Sequence, residues 1–244
     1  MAQKELPYKI GLEIYTLLTQ YLLDKIDTIG DLEMYLEVIC DICTNTREIY
    51  GTKDAIKLYE KLVNKVETNF PEYQSINHWA WVMISYANLL YENNDYDEAI
   101  KKINNLLLYW PDLNMSEENA IINCYLYNRL HVFKRAQKMT ITSDSLYWLE
   151  KSEKYENCAE IKFLNFVDRG YCYYDSISSK EKILSNWKKA CTVYETNNLP
   201  NKRVNYYYVK IRIQLFCGKY KDAEKTIEDG LRAIESKDEG IYYF

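Results

Sequence analysis

The sequence predicts an all-α fold that is built from consecutive helix pairs. Apolar residues recur at spacings of three and four along almost the whole length of 244 residues, which is the pattern of amphipathic helices. Only 7 Gly and 4 Pro are present, too few to supply the turns of a many-stranded sandwich or barrel. A short motif with a small and a large residue also recurs at similar intervals. Together these observations predict about eleven helices.

Breaks in the apolar pattern place the helices in order along the chain. A single N-terminal helix is predicted over residues 7–27, and we expect it to form one domain with five helix pairs. These pairs lie roughly at 31–71, 73–113, 116–157, 158–198 and 200–236. We expect helix N-caps at Ser116 and at Ser143–Asp144, because short polar side chains accept hydrogen bonds from the first turn of a helix. We expect another helix to start at residues 179–181, which place an acid, Glu181, in its first turn.

The turn inside several pairs carries one recurring motif. It is present at residues 51–59 (GTKDAIKLY), 94–103 (NDYDEAIKKI) and 218–227 (GKYKDAEKTI). Each segment has a tight turn, an acidic residue, an alanine and a large apolar residue four positions later. The alanine lets the second helix approach the first closely, and the large residue one turn on fills the gap between neighbours.

The middle pair, residues 116–157, has the weakest pattern of the five. Its second helix offers Ser145, Leu149 and Ser152 as a small–large–small row of helix contacts.

On these residues the chain resembles the tetratricopeptide repeat (TPR) proteins. The run 81–111 and the segment 218–223 carry the resemblance most strongly, and residues 31–70 and 168–190 carry it more loosely. The resemblance implies a right-handed α-solenoid. The chain is similar, in this respect, to the long-helix repeat domains of bacterial peptide-pheromone receptors and signalling NTPases.

The spacing of the repeats differs from the TPR pattern. Ala55 and Ala99 are 44 residues apart, whereas the usual period is about 34 for TPR units and about 40–47 for HEAT or armadillo units. The turn residues favour TPR-like pairs with lengthened helices, and HEAT-like stacking is the alternative.

Composition and charge exclude several classes of protein. With 31 basic and 36 acidic residues, the formal net charge is −5, which argues against a nucleic-acid surface as the main function. No uncharged stretch approaches the roughly 20 residues that cross a bilayer, and the N-terminus carries no secretion signal, so we expect no membrane partner. Seven scattered cysteines indicate a reducing cytoplasm, and the Lys, Asn, Ile and Tyr bias suggests a bacterial source.

The sequence predicts no catalytic residues, no metal and no cofactor. Cys40 and Cys43 are three residues apart in a helical segment, so we interpret them as core residues. His78 and His131 belong to different pairs, and we expect His78 to cap or stack at a helix start. None of the common catalytic, phosphate-binding or calcium-binding motifs occurs.

The predicted ligand site is the concave groove that the resemblance implies along the first helix of each pair. Asparagine there can donate to and accept from a peptide backbone, and Tyr and Arg are favoured at binding hot spots. The predicted groove residues are Trp81, Ile84, Asn88, Tyr91, Glu92, Asn123, Tyr127, Val167, Tyr171, Tyr174, Asn205, Tyr208 and Arg212.

The predicted function is therefore non-catalytic binding of a peptide or protein segment, as a scaffold or sensor in a bacterial regulatory or defence assembly. The alternative is a part of a nucleic-acid-associated or enzymatic complex whose site is not visible in the sequence. The apolar end Gly240–Phe244 predicts a further domain, a partner or a second copy of the chain at that position.

Overall fold

The computed structural model describes residues 29–70, 77–109, 117–154 and 158–235, together with the separate positions 10, 11, 13, 14, 17 and 21. This part of the chain contains helices and turns but no strand, so the prediction of an all-α fold is confirmed. In chain order the helices are α1 (Ile29–Tyr50), α2 (Thr52–Asn69), α3 (Asn77–Glu92), α4 (Tyr96–Tyr109), α5 (Glu117–Lys138), α6 (Ser143–Glu153), α7 (Ala159–Asp175), α8 (Lys180–Asn197), α9 (Arg203–Phe216) and α10 (Tyr220–Glu235).

The helices divide between two compact units, residues 1–114 and 115–244. In the first unit α1 packs on α2 and α3 packs on α4, and in the second the pairs are α5–α6, α7–α8 and α9–α10. We call the earlier member of each pair its first helix. The second helix of a pair also packs on the first helix of the next, as α2 does on α3, α6 on α7 and α8 on α9. This succession of neighbour contacts is helical-repeat-like, while the right-handed solenoid stays a prediction.

The alanines of the recurring motif lie at helix contacts, as predicted. Ala55, Ala99 and Ala223 are buried, and so are the large residues Tyr59 and Ile103 that follow the first two by four positions. The prediction is wrong for the last pair, where Ile227 is 46% exposed. In the described part of the chain no helix follows α10 that could cover this side chain.

The starts of the later helices follow local capping chemistry. Glu181 lies in the first turn of α8 as predicted, and Ser179 caps this helix by accepting from the Lys182 amide. The cap of α6 is Thr142 rather than Ser143, because Thr142 and Ser145 form a reciprocal capping box. Ser145, Leu149 and Ser152 are buried, which confirms the predicted contact row of this helix.

Both ends of the chain extend outside the described residues. Within the predicted N-terminal helix 7–27, every described position is helical. The predicted cap Ser116 and the segment Gly240–Phe244 lie outside the described residues.

The core of the second unit is centred on Trp187 of α8. This side chain is 1% exposed and packs directly over Gly170 of α7. Its ring also contacts Tyr171, Tyr174 and Phe216, with centroids 5.4, 6.2 and 6.1 Å away. The buried indole thus packs against aromatic residues of both α7 and α9.

Candidate binding surface

An arginine–acid pair joins neighbouring first helices in each unit. In the first unit Arg47 of α1 lies 3.2 Å from the carboxylate of Glu92 in α3. In the second unit Arg135 of α5 donates through Nε to Asp175 of α7 over 2.9 Å. Each acid is the last residue of its helix. The pairs therefore hold the C-terminal ends of the two first helices side by side.

In the second unit, side chains from three first helices continue from the Arg135–Asp175 pair. The guanidinium of Arg135 lies over the ring of Tyr171, 5.4 Å from its centroid. The Tyr171 hydroxyl interacts with that of Tyr208 on α9. Arg212, one turn further on, donates to the Tyr208 oxygen through Nε and Nη2 at 3.1 and 2.7 Å. We call Arg135, Tyr171, Tyr174, Tyr208 and Arg212 the tyrosine–arginine surface.

The hydroxyls of Tyr171 and Tyr208 have different acidities. Burial, followed by the contact with Tyr208, raises the pKa of Tyr171. Burial alone would also raise the pKa of Tyr208, but the hydrogen bonds from Arg212 and the proximity of Tyr171 lower it below the usual value. Because the Tyr208 oxygen accepts from Arg212, its own proton is available to donate outward.

The tyrosine–arginine surface exposes both aromatic and cationic groups. Tyr208 and Tyr174 are 47% and 45% exposed, although each ring rests on other groups of the unit. Arg212 is half-buried, and no acidic side chain in the described part of the chain pairs with it. Tyrosine and arginine are the residue types enriched where proteins bind other proteins.

A buried polar network lies beneath this surface, between α5, α6 and α7. Asn128 donates to Asp168 over 2.8 Å and to Asn165 over 3.2 Å. The Ser152 hydroxyl lies 3.0 Å from both the Asn165 Oδ1 and the Cys124 carbonyl, and its single proton is shared between these two acceptors. Hydrogen bonds between buried polar groups require one relative placement of the helices that carry them. The network therefore fixes the backbone on which Tyr171 and Arg135 are displayed.

The structure brings part of the predicted groove together. Tyr171, Tyr174, Tyr208 and Arg212 form the tyrosine–arginine surface, and Asn205 is exposed near the start of α9. Sequence reasoning missed Arg135. Its position could have indicated it, because Arg135 follows Arg47 by 88 residues, which is twice the interval of 44 between Ala55 and Ala99.

Four other predicted groove residues are buried, so their assignment to an open groove is wrong. Tyr127 stacks on Trp148 of α6 with ring centroids 5.6 Å apart. A first helix packs on its own partner and on the adjacent first helix, which leaves it a narrow exposed stripe. The buried residues are Ile84, Asn123, Tyr127 and Val167.

The remaining predicted residues lie on α3 in the first unit. Trp81, Asn88 and Tyr91 are half-buried, and Glu92 is exposed. The Tyr91 ring lies 5.6 Å from that of Tyr96, and Glu92 is held by Arg47.

The cysteines and histidines occupy structural positions. Cys43 is buried and Cys40 half-buried, and burial raises the pKa of the Cys40 thiol to about 11. His131 is buried and donates through Nδ1 to the Ser145 carbonyl over 2.8 Å, whereas His78 contacts Glu37. Among the described residues no group of three or more potential ligands is placed to hold a metal ion. None of the described helices combines the length and apolarity that crossing a bilayer requires.

Comparison with known proteins supports the fold class. No family model matches the sequence, and no curated protein matches it. The crystal structure of BtubC (BKLC) from P. vanneervenii is similar, with a TM-score of 0.60 and 12% identical residues over 95% of this chain and 91% of that chain. At this identity the similarity shows the fold alone, and it places the chain among all-α, helical-repeat-like proteins.

Proposed function

We propose that this chain is a non-catalytic, TPR-like module that binds a peptide or protein segment on its tyrosine–arginine surface. In this proposal it serves as a scaffold or sensor in a bacterial regulatory or defence assembly. The observation that carries the proposal is the Tyr208–Arg212 pair, in which an arginine without an acidic partner among the described residues is held over an exposed tyrosine ring.

The chemistry of this pair suits an acceptor-rich ligand. Two of the guanidinium N–H groups of Arg212 are directed to Tyr208, and the others remain available to a backbone carbonyl or a carboxylate. The exposed rings of Tyr174 and Tyr208 add apolar contact area with little loss of conformational entropy. A segment that places an acidic side chain beside an apolar one would use both features.

Affinity capture with the full chain tests the proposal. The wild-type chain is used as bait in a bacterial lysate, the captured proteins are identified by mass spectrometry, and the bound segment is synthesised for calorimetry. We expect Tyr208→Ala/Arg212→Ala to bind that segment at least about 30-fold more weakly, because hot-spot residues contribute about 2 kcal/mol or more.

The chain offers a closely matched control on α6. Tyr147 is 48% exposed, and Lys151, one turn later, lies over its ring at 5.6 Å. Tyr147→Ala/Lys151→Ala therefore removes an equivalent exposed tyrosine–cation pair from a second helix, and we expect full binding. Equal affinity of the two double variants for the segment would contradict the proposal. Copurified nucleic acid with a steep salt dependence would favour the alternative function.

A further inference from the structure

The turns that follow α5, α7 and α9 lie along one edge of the second unit. Arg135, near the end of α5, pairs with Asp175, the last residue of α7. Tyr174 in turn contacts Phe216, the last residue of α9, with ring centroids 6.0 Å apart. Since the three helices end beside one another, the turns after them must emerge together. We call the residues 138–140, 176–182 and 217–221 the turn edge.

Three large side chains project from this edge: the aromatic ring of Tyr220, which is 71% exposed, and the aliphatic side chains of Met139 and Ile177. Met139 and Ile177 are 93% and 94% exposed. Both adopt left-handed backbone conformations, with φ of 52° and 53°, where a side chain is disfavoured and a β-branched one most strongly. The corresponding turns after α3 and α9 carry Asn94 and Gly218 at positive φ instead. Met139 and Ile177 thus stand at the tips of tight turns, fully open to solvent.

The tips are surrounded by lysine side chains, and the amines of Lys180 and Lys182 lie over the rings of Phe216 and Tyr173. Lys138, Lys180, Lys182, Lys219 and Lys221 are all exposed. Among the described residues, none of these five amines forms an ion pair.

The acidic side chains of the turn edge do not cancel this charge. Asp175 is neutralised by Arg135, and Asp144, at the start of α6, by Lys134. Glu181 and Asp222 remain as exposed carboxylates. The turn edge is therefore cationic on a chain whose formal net charge is −5.

This combination fits a fluid anionic surface better than a folded protein partner. Protein interfaces are depleted in lysine and enriched in aromatic residues and arginine, as on the tyrosine–arginine surface. Lysine is a mobile point charge that needs no fixed partner geometry. Apolar side chains on convex tips can enter the headgroup region of a bilayer, while nearby lysines approach anionic lipid headgroups.

We propose that the turn edge docks the chain on membranes that contain anionic lipids, with Met139 and Ile177 inserted and the surrounding lysines held at the headgroups. Docking is peripheral and reversible, because two side chains bury little apolar area. The turn edge borders the tyrosine–arginine surface through Arg135 and Tyr174 but shares no residue with it, so this inference does not depend on the proposed function.

Vesicle co-sedimentation of the full chain tests docking. We expect binding to phosphatidylcholine vesicles that contain about 30 mol% phosphatidylserine, little binding to phosphatidylcholine alone, and loss of binding near 1 M salt, where the screening length falls to about 3 Å. Met139→Asn/Ile177→Asn should bind at least about tenfold more weakly, because two apolar side chains are removed. Asparagine tolerates the left-handed conformation, so this variant should unfold no more easily than the wild type.

Two controls separate the possible outcomes. Leu108→Gln removes an exposed apolar side chain from α4 in the first unit and should bind vesicles like the wild type. Tyr208→Ala/Arg212→Ala should also keep vesicle binding. Equal binding to vesicles with and without phosphatidylserine, or an unchanged affinity of the asparagine variant, would overturn the proposal. Binding to polyglutamate but not to anionic vesicles would also overturn it, in favour of an acidic protein partner.

Discussion

Gly170 of α7 offers a direct test of how the second unit is packed, because two effects of opposite sign compete at this position. An alanine Cβ placed there would lie 2.2 Å from Nε1 and 2.3 Å from Cδ1 of Trp187. Since comfortable contacts begin near 3.5 Å, the indole would have to retreat by more than about 1 Å. Trp187 is almost completely buried among Tyr171, Tyr174 and Phe216, so it has little room to move.

The expected change in the free energy of unfolding is the difference between the cost of overpacking and the gain in helix propensity. Overpacking of a well-filled core costs about 1–3 kcal/mol, and the severity of this clash favours the upper value. Replacing a mid-helix glycine with alanine contributes about 1 kcal/mol of stability in the opposite direction. We therefore expect Gly170→Ala to lower the free energy of unfolding by about 2 kcal/mol, which corresponds to about 4–8 °C in Tm.

Urea unfolding followed by circular dichroism measures this difference as a lower midpoint at an unchanged m value. Gly230→Ala is the matched control, because its Cβ would lie 3.1 Å from the ring of the half-buried Tyr207, and we expect it to be close to neutral. In a Trp187→Leu background, Gly170→Ala should cost less, since the two residues are in contact. A Gly170→Ala variant as stable as the wild type, or more stable, would refute the packing argument.

Three further predictions concern α6 and its neighbours. Thr142→Ala should lower the free energy of unfolding by about 1 kcal/mol, because it removes the side-chain cap on the Ser145 amide; thermal unfolding measures this. Ser152→Ala should cost about 1 kcal/mol, since a buried hydrogen bond is lost while the Asn165 oxygen still accepts from Asn128, and a midpoint equal to that of the wild type would contradict the role of the buried network. Burial lowers the pKa of His131 in the folded state. The stability that the neutral imidazole contributes should therefore be complete above about pH 6.5 and should be lost as the pH falls below this value, because the unfolded state then binds the proton. Urea midpoints measured between about pH 7.5 and pH 5 should fall less in His131→Asn than in the wild type.

The helix contacts could be predicted from sequence because they depend on local residue size. An alanine in a fixed register after a tight turn indicates a close helix approach wherever a neighbouring helix exists, and Ala55, Ala99 and Ala223 are all buried. The same reasoning failed at Ile227, because sequence periodicity identifies an apolar stripe but does not identify the element that covers it.

The candidate site was harder to predict, because helical spacing shows which residues share a helix face but not whether that face meets solvent or another helix. Tyr171 and Tyr127 occupy similar positions on first helices, yet Tyr127 is buried against Trp148 while Tyr171 reaches Tyr208. Arg135 was missed since its role depends on Asp175, which is 40 residues away. Long-range ion pairs of this kind leave no short motif in a single sequence.

The two arginine–acid pairs indicate a module larger than one helix pair. The helices α1 and α5 both contain 22 residues, and Arg47 and Arg135 each stand three positions before the helix end. A second contact joins equivalent positions of these helices: Glu37 and Tyr125, the ninth residues of α1 and α5, meet His78 and Glu160, the second residues of α3 and α7. Each unit therefore contains a four-helix block, α1–α4 or α5–α8, whose first helices are joined by these contacts, so deleting α3 and α4 alone would leave Arg47 without its acid. A shortened or extended version of this chain should keep these contacts only when whole blocks are removed or added.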